Sequence, residues 1–214
     1  MRRSLSPEIM DDPQVLHETR ERFHRQLSAL HRFLGNQRAI LEALRRNPFP
    51  IHRVIDIGCG SGELLNAIRH DLRVGVQGVD LRPPQRQVFD VPIVAADAAR
   101  DRLPDADVAI CVTVFHHLTE DEITALVRNA SRSVRRLIVL DLVRHWVPLV
   151  LFTMLVAPFL MRIVALDGCQ SIRRAYTPAE LRAIVEGALN GSRARLVHSV
   201  TPFRSRQMID IMWS

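Results

Sequence analysis

The stretch VIDIGCGSGELL, residues 54–65, sets Gly58, Gly60 and Gly62 directly behind an apolar run that carries Asp56. Glycine weakens helices and strands alike. Three of them where a strand hands over to a helix therefore point to a ligand that comes close to the backbone, with amides and a helix N-terminus facing it. Dinucleotide binders use G-x-G-x-x-G, but Glu63 stands where that pattern needs its third glycine, and the spacing here is D-x-G-x-G-x-G. Two more acids follow at strand ends. Asp80, followed by Leu81, closes VGVQGVDL, and Asp97, followed by Ala98, lies in VAADAARD. A carboxylate at the first of these places can accept from both ribose hydroxyls. One at the second can take the exocyclic amino group of adenine, with the Ala98 amide donating to the ring. Each acid alone reads equally well as a turn cap. In order, on successive strand ends, they describe an adenosine-bearing ligand, and the acid-to-glycine spacing suits S-adenosylmethionine (SAM) better than NAD.

Residues 14–46 read as two amphipathic helices. Phe23, Leu27, Leu30 and Leu34 recur at helical spacing until Gly35-Asn36, and Ile40, Leu41 and Leu44 carry the second helix until Asn47-Pro48. This unit, 1–49, is expected to be either a plain helical cap or a lid over the ligand site. From Arg53 the pattern changes to strands at 53–57, 74–79, 92–96, 107–113 and 136–141, with helices between several of them, notably 62–70 and 119–131. Thr119-Glu-Asp-Glu122 and Thr177-Pro-Ala-Glu180 are capping boxes, the second with proline at the first helical position. Strands alternating with helices predict a parallel sheet covered on both faces. The closing strands, 194–200 and 204–213, are joined so tightly around Pro202 that they must pair antiparallel. The expectation is an α/β, Rossmann-like domain over 50–214.

After the fifth strand comes WVPLVLFTMLVAPFL, part of an apolar insertion over 146–176, with no charge from 146 to 161. That run is short of the roughly 20 residues a spanning helix needs, and it contains Pro148 and Pro158. Two short apolar helices are expected, as plain core, as the wall of a greasy pocket, or as a peripheral membrane contact through 146–166. The net charge of +6 raises nucleic acid as a partner, but all 29 basic residues are arginine, they are scattered, and aromatics make up only 5%. A solvated arginine-rich surface is the better reading. Cys59, Cys111 and Cys169 are odd in number and form no CxxC pair, so neither a disulfide framework nor a zinc site is expected. The N-terminus has no apolar signal core, which points to the cytoplasm.

With these residues in place, the chain resembles the class I SAM-dependent methyltransferases over roughly residues 50–213. Asp56, Gly58, Cys59, Gly60 and Gly62 match the family's first motif, Asp80 the second and Asp97 the third. The resemblance implies a seven-stranded sheet whose last strand is antiparallel. MDDP near the start and SIRRAYTPAELR near the end resemble a bacterial small-molecule subgroup associated with polyketide and phenolic-lipid pathways.

The resemblance also implies that residues after the fourth strand, here FHHL, lie beside the transferred methyl group. His116 and His117 are then the candidate bases, since an imidazole titrating near neutrality can deprotonate a phenol. Asp141, ending the fifth strand, is expected to orient a histidine, bind substrate, or simply cap the chain. Leu151 and Phe159 are expected in the acceptor pocket and Tyr176 at its mouth. No metal site is expected, because no third ligand stands at a telling spacing from the histidines. The resulting expectation is methylation of a small lipophilic acceptor, at a phenol or quinol oxygen. The alternatives are an RNA or protein methyltransferase using the arginine surface, or a SAM-binding module without turnover.

Overall fold

Alternation along β1 (Arg53–Ile57) divides the core in two. Val54 packs into one apolar cluster with Val108, Ile110 and Ile138, while Ile55 and Ile57 pack into the other with Ala109, Leu137 and Ile209. A sheet apolar on both faces needs cover on both, and the chain supplies it. The computed structural model describes residues 1–12, 14–84 and 88–213, with the side chains of His17, Glu21 and His24 outside the description. Pro13 of the MDDP stretch falls outside it too.

The chain begins with a strap, residues 1–12, followed by α1 (His17–Phe33) and α2 (Asn36–Arg45). Gly35 between the helices has φ 75°, the left-handed turn expected at that break. Ile40 and Leu44 of α2 join the core beside Leu65 and Ile68 of α3 (Glu63–Leu72). Then follow β2 (Gly75–Asp80), β3 (Ile93–Ala95), β4 (Ala106–Val112), α4 (Glu120–Ala130) and β5 (Val134–Leu142). Thr119 caps α4 through the reciprocal box with Glu122, and Thr177 caps α7 (Pro178–Ala188) through Glu180. These two helices cover the face opposite α2 and α3.

The seven strands run in the order β3-β2-β1-β4-β5-β7-β6, where β6 is Ala194–Val200 and β7 is Arg206–Trp213. The first five are parallel, and β7 pairs antiparallel with both β5 and β6. The terminal hairpin therefore forms as its sequence predicts, with its second strand inside the sheet and its first at the edge.

The apolar insertion is a broken helix rather than two clean ones. α5 (Trp146–Leu151) starts where the His145 ring accepts from the Val147 amide, then passes into a π-helical turn (Phe152–Val156) and a 3-10 turn (Ala157–Phe159). Pro158, without an amide hydrogen, stops the ladder, and α6 (Arg162–Arg174) follows. Among the described residues no helix is long and apolar enough to cross a membrane.

Candidate active site

The glycine loop lies where β1 and β4 part from the sheet plane. Gly58 adopts φ 74°, and a Cβ there would meet Val114 Cγ2 at 2.4 Å, so only glycine lets the loop pass this close to the β4 end. Gly60, at φ 51°, would have its Cβ in open space, and its amide donates to Asp80 Oδ2 at 2.9 Å. The other Asp80 oxygen accepts from the Arg82 amide at 2.8 Å. Asp80 thus braces two turns, and each carboxylate oxygen keeps a second lone pair for a ligand. Asp97 likewise accepts from the Ala99 amide at 2.9 Å. Both acids do the turn-capping work that was the plain alternative, and both also line a cavity of about 660 Å³ together with Leu81 and Ala98.

A second hollow of about 240 Å³ touches Asp56, Cys59, Gly60 and Glu63. The two share Gly58, His31 and Thr113. Thr113 holds φ 55°, a conformation β-branched residues seldom take, at the point between them. Asp56 Oδ1 is buried without a hydrogen-bond partner among the described residues. Burial, reinforced by nearby Asp80, pushes this carboxyl well above the usual carboxylate range.

At the other end of the larger cavity, β4 runs into a 3-10 turn, Phe115–His117, anchored by the fully buried Phe115. His116 is 2% exposed and Asp141 is buried beneath it. Asp141 Oδ2 accepts from the His116 amide at 2.9 Å, and Oδ1 faces Nδ1 at 2.7 Å. A carboxylate only accepts, so Nδ1 carries a proton towards it, and in the neutral ring Nε2 keeps the lone pair. Burial alone would lower the His116 pKa, but the Asp141 charge and hydrogen bond override it and the net shift is upward. His117 is held down to about 3 by burial, His116 and Arg174. The strap brings in Glu8, whose Oε1 lies 3.7 Å from His116 Nε2 and 3.9 Å from His117 Nε2. Burial raises the Glu8 pKa. α6 holds the strap in place: Asp167 accepts from the Ile9 and Met10 amides, Ser171 donates to Glu8, and Arg174 pairs with Asp11 at 3.0 Å.

Residues 54–136 match the family model described as a methyltransferase domain. The matched stretch, which runs from β1 into β5, is a methyltransferase domain. No match to a curated protein was found. Among solved structures, the plantazolicin methyltransferase BpumL, in complex with a monoazolic desmethylPZN analog and SAH, superposes with TM-score 0.73 at 11% identity over 96% of this chain and 92% of that one. The methyltransferase domain of bacterial CtHen1-C gives 0.60 at 18% identity over 84% and 97%. Human N-acetylserotonin methyltransferase with SAM gives 0.61 at 16% over 91% of this chain and 56% of that longer one. At such identities the likeness is one of fold.

The residues of this methyltransferase fit its cofactor class on their own terms. An orphaned carboxylate oxygen at Asp56, beside a glycine loop with open space at Gly60, suits a ligand that carries both N–H donors and positive charge. Cys59 packs its sulfur against Gly78, and burial raises its thiol pKa, so it shapes the loop and is no nucleophile.

Three sequence expectations for the acceptor side need correction. Tyr176 is 2% exposed, donates to the Leu118 carbonyl and lies under the Arg3 guanidinium, so it is core and not the mouth of the pocket. Leu151 and Phe159 are 37% and 82% exposed and are not among the residues that line the cavity. From the insertion it is Phe152, the first residue of the π-helical turn, that lines the cavity, joined from α6 by Val164 and Ile172. Asp141, for which three roles stood open, orients His116. Glu8, His31 and Arg174 line the cavity and were not singled out from sequence. Spacing gives no hint of Glu8 or His31, but MDDP and SIRRAYTPAELR contain the two partners, Asp11 and Arg174, of one contact that holds the strap.

Proposed function

We propose that this methyltransferase methylates an oxygen, a phenol or quinol hydroxyl, of a small lipophilic acceptor. The observation that carries this reading is the two-sided character of the cavity. Leu27, Leu30, Phe152, Val164 and Ile172 wall one part, and Glu8, His116 and His117 close its end. An apolar body with one ionisable hydroxyl matches that lining. SAM, when bound, supplies an electrophilic methyl group on sulfonium. The protein then has to hold the acceptor in line and ease the loss of its proton. The polar corner serves that end, with Asp141 fixing His116 so that Nε2 faces the cavity. α1 contributes wall residues to the same cavity, which favours the lid reading of residues 1–49 over a plain cap.

BpumL is crystallised with desmethylPZN analogs, and the competing reading is an RNA or protein acceptor met by the arginine-rich surface. Purified protein incubated with methyl-labelled SAM and a lysate of its own source decides between them. Label in the solvent-extractable fraction supports the lipophilic acceptor, and label confined to RNA or protein overturns it. Phe152→Glu should cut the solvent-extractable label at least tenfold while SAM binding is unchanged.

A further inference from the structure

The corner formed by Glu8, His116 and His117 has the makings of a metal site. Their ligand atoms all lie within 4.8 Å of one another, and the two rings sit 4.2 Å apart between centroids. A tetrahedral zinc ion separates its ligands by roughly 3.3 Å, as bond lengths near 2 Å dictate, so both histidines must close on Glu8 from 3.7 and 3.9 Å, and the two rings on each other from within 4.8 Å. His116 Nε2 makes no hydrogen bond among the described residues, while Nδ1 is committed to Asp141 at 2.7 Å. A carboxylate behind the far nitrogen is the usual support of a metal-ligating histidine, fixing its tautomer and ring. Charge points the same way. Four carboxylates, Glu8, Asp11, Asp141 and Asp167, gather around the corner against two guanidinium groups, Arg3 and Arg174.

We propose that Glu8, His116 and His117 bind one divalent cation of the zinc class, with its remaining coordination positions open to the cavity. Two histidines and a glutamate are a donor set that leaves such an ion free to take a further oxygen ligand. An acceptor hydroxyl in that position loses its proton to water far more readily than in solution, as a metal-bound water does. This purpose rests on the oxygen-methylation reading above, whereas binding of the cation does not. The site escapes sequence inspection because its third ligand arrives from the strap.

The test uses the full chain, stripped by chelator and titrated with Co²⁺, a visible-absorbing probe, with Zn²⁺ as competitor. One equivalent of Co²⁺ should bind with a visible absorption band that Zn²⁺ abolishes. Glu8→Gln and His117→Gln should each weaken binding at least tenfold, and Asp141→Asn by about 10–100-fold through its supporting bond. His198→Gln, on the edge strand, should bind as wild type, and circular dichroism should show each variant folded. No band in the wild type, or equal affinity in the Glu8 and His117 variants, overturns the site. Unchanged label transfer by the chelated protein, with the band intact in the loaded one, overturns the acidifying role and returns His116 Nε2 to the part of proton acceptor. Failure of the methylation reading shows separately, as absence of label in the solvent fraction.

Discussion

Asp141 spends both carboxylate oxygens on His116 and on its own strand end, accepting in addition from the Leu142 amide at 2.7 Å. Asp141→Asn keeps the shape but offers an amide where an acceptor is needed, so the His116 tautomer is no longer fixed. Turnover should fall by about 10²–10⁴-fold, the range typical of lost proton management, with SAM affinity within twofold of wild type by calorimetry. A drop in both would place Asp141 in the cofactor site instead. His31 offers a second check. Burial, then His116, lowers its pKa to about 4. The unfolded chain, with an ordinary value of 6.5, therefore binds more protons than the folded one between those limits. The stabilising contribution is whole above pH 6.5 and drains away as pH falls towards 4. His31→Gln should lose less stability than wild type between pH 7 and 5 in urea unfolding, and parallel losses would show that His31 is solvated. At this scale the cofactor residues were legible because glycines and strand-end acids sit at fixed spacings. Glu8 and Phe152 were not, since one depends on a distant strap and the other on a helical phase that no local pattern records.

The elements were easier to read than the residues between them. β1 begins and ends as its apolar run does, and both threonine capping boxes start their helices where expected. The insertion was legible as apolar and proline-broken, but its π-helical turn was not, nor was it legible that Phe152 rather than Leu151 lines the cavity. Leu151→Glu and Phe159→Glu should consequently leave methylation of a detergent-dispersed acceptor within twofold of wild type. A large loss would return those side chains to the pocket. An ion pair between β5 and β7, Arg136 with Asp210, also ties the sheet to α2, and the sequence pattern hides it among many arginines. Arg136, 5% exposed, donates to both oxygens of Asp210 at 2.8 and 2.6 Å and also to the Ala43 carbonyl. Asp210→Ala would strand that guanidinium, at a cost of about 3–5 kcal/mol. Denaturant unfolding should show it, and a change below 1 kcal/mol would mean that water replaces the carboxylate.

Across the whole molecule, arginine excess carries little information about partners. Arg38, Arg45, Arg102 and Arg182 each pair with a nearby acid at the surface, Glu42, Asp71, Asp105 and Glu186. These pairs spend charge locally instead of presenting a continuous basic face. The architecture was legible as a whole because strand and helix periods alternate, and a tight terminal turn leaves only one way for the last strands to pair. The position of β7, between β5 and β6, has a consequence for how the protein is made. Until β7 leaves the ribosome, β5 shows a bare row of amides and carbonyls along Arg136–Leu142, with four aliphatic residues in succession, Leu137, Ile138, Val139 and Leu140. Such an edge invites pairing with other chains. Each newly synthesised molecule thus passes through an interval, set by the speed of translation of its final strand, in which it is most exposed to aggregation and most dependent on chaperones.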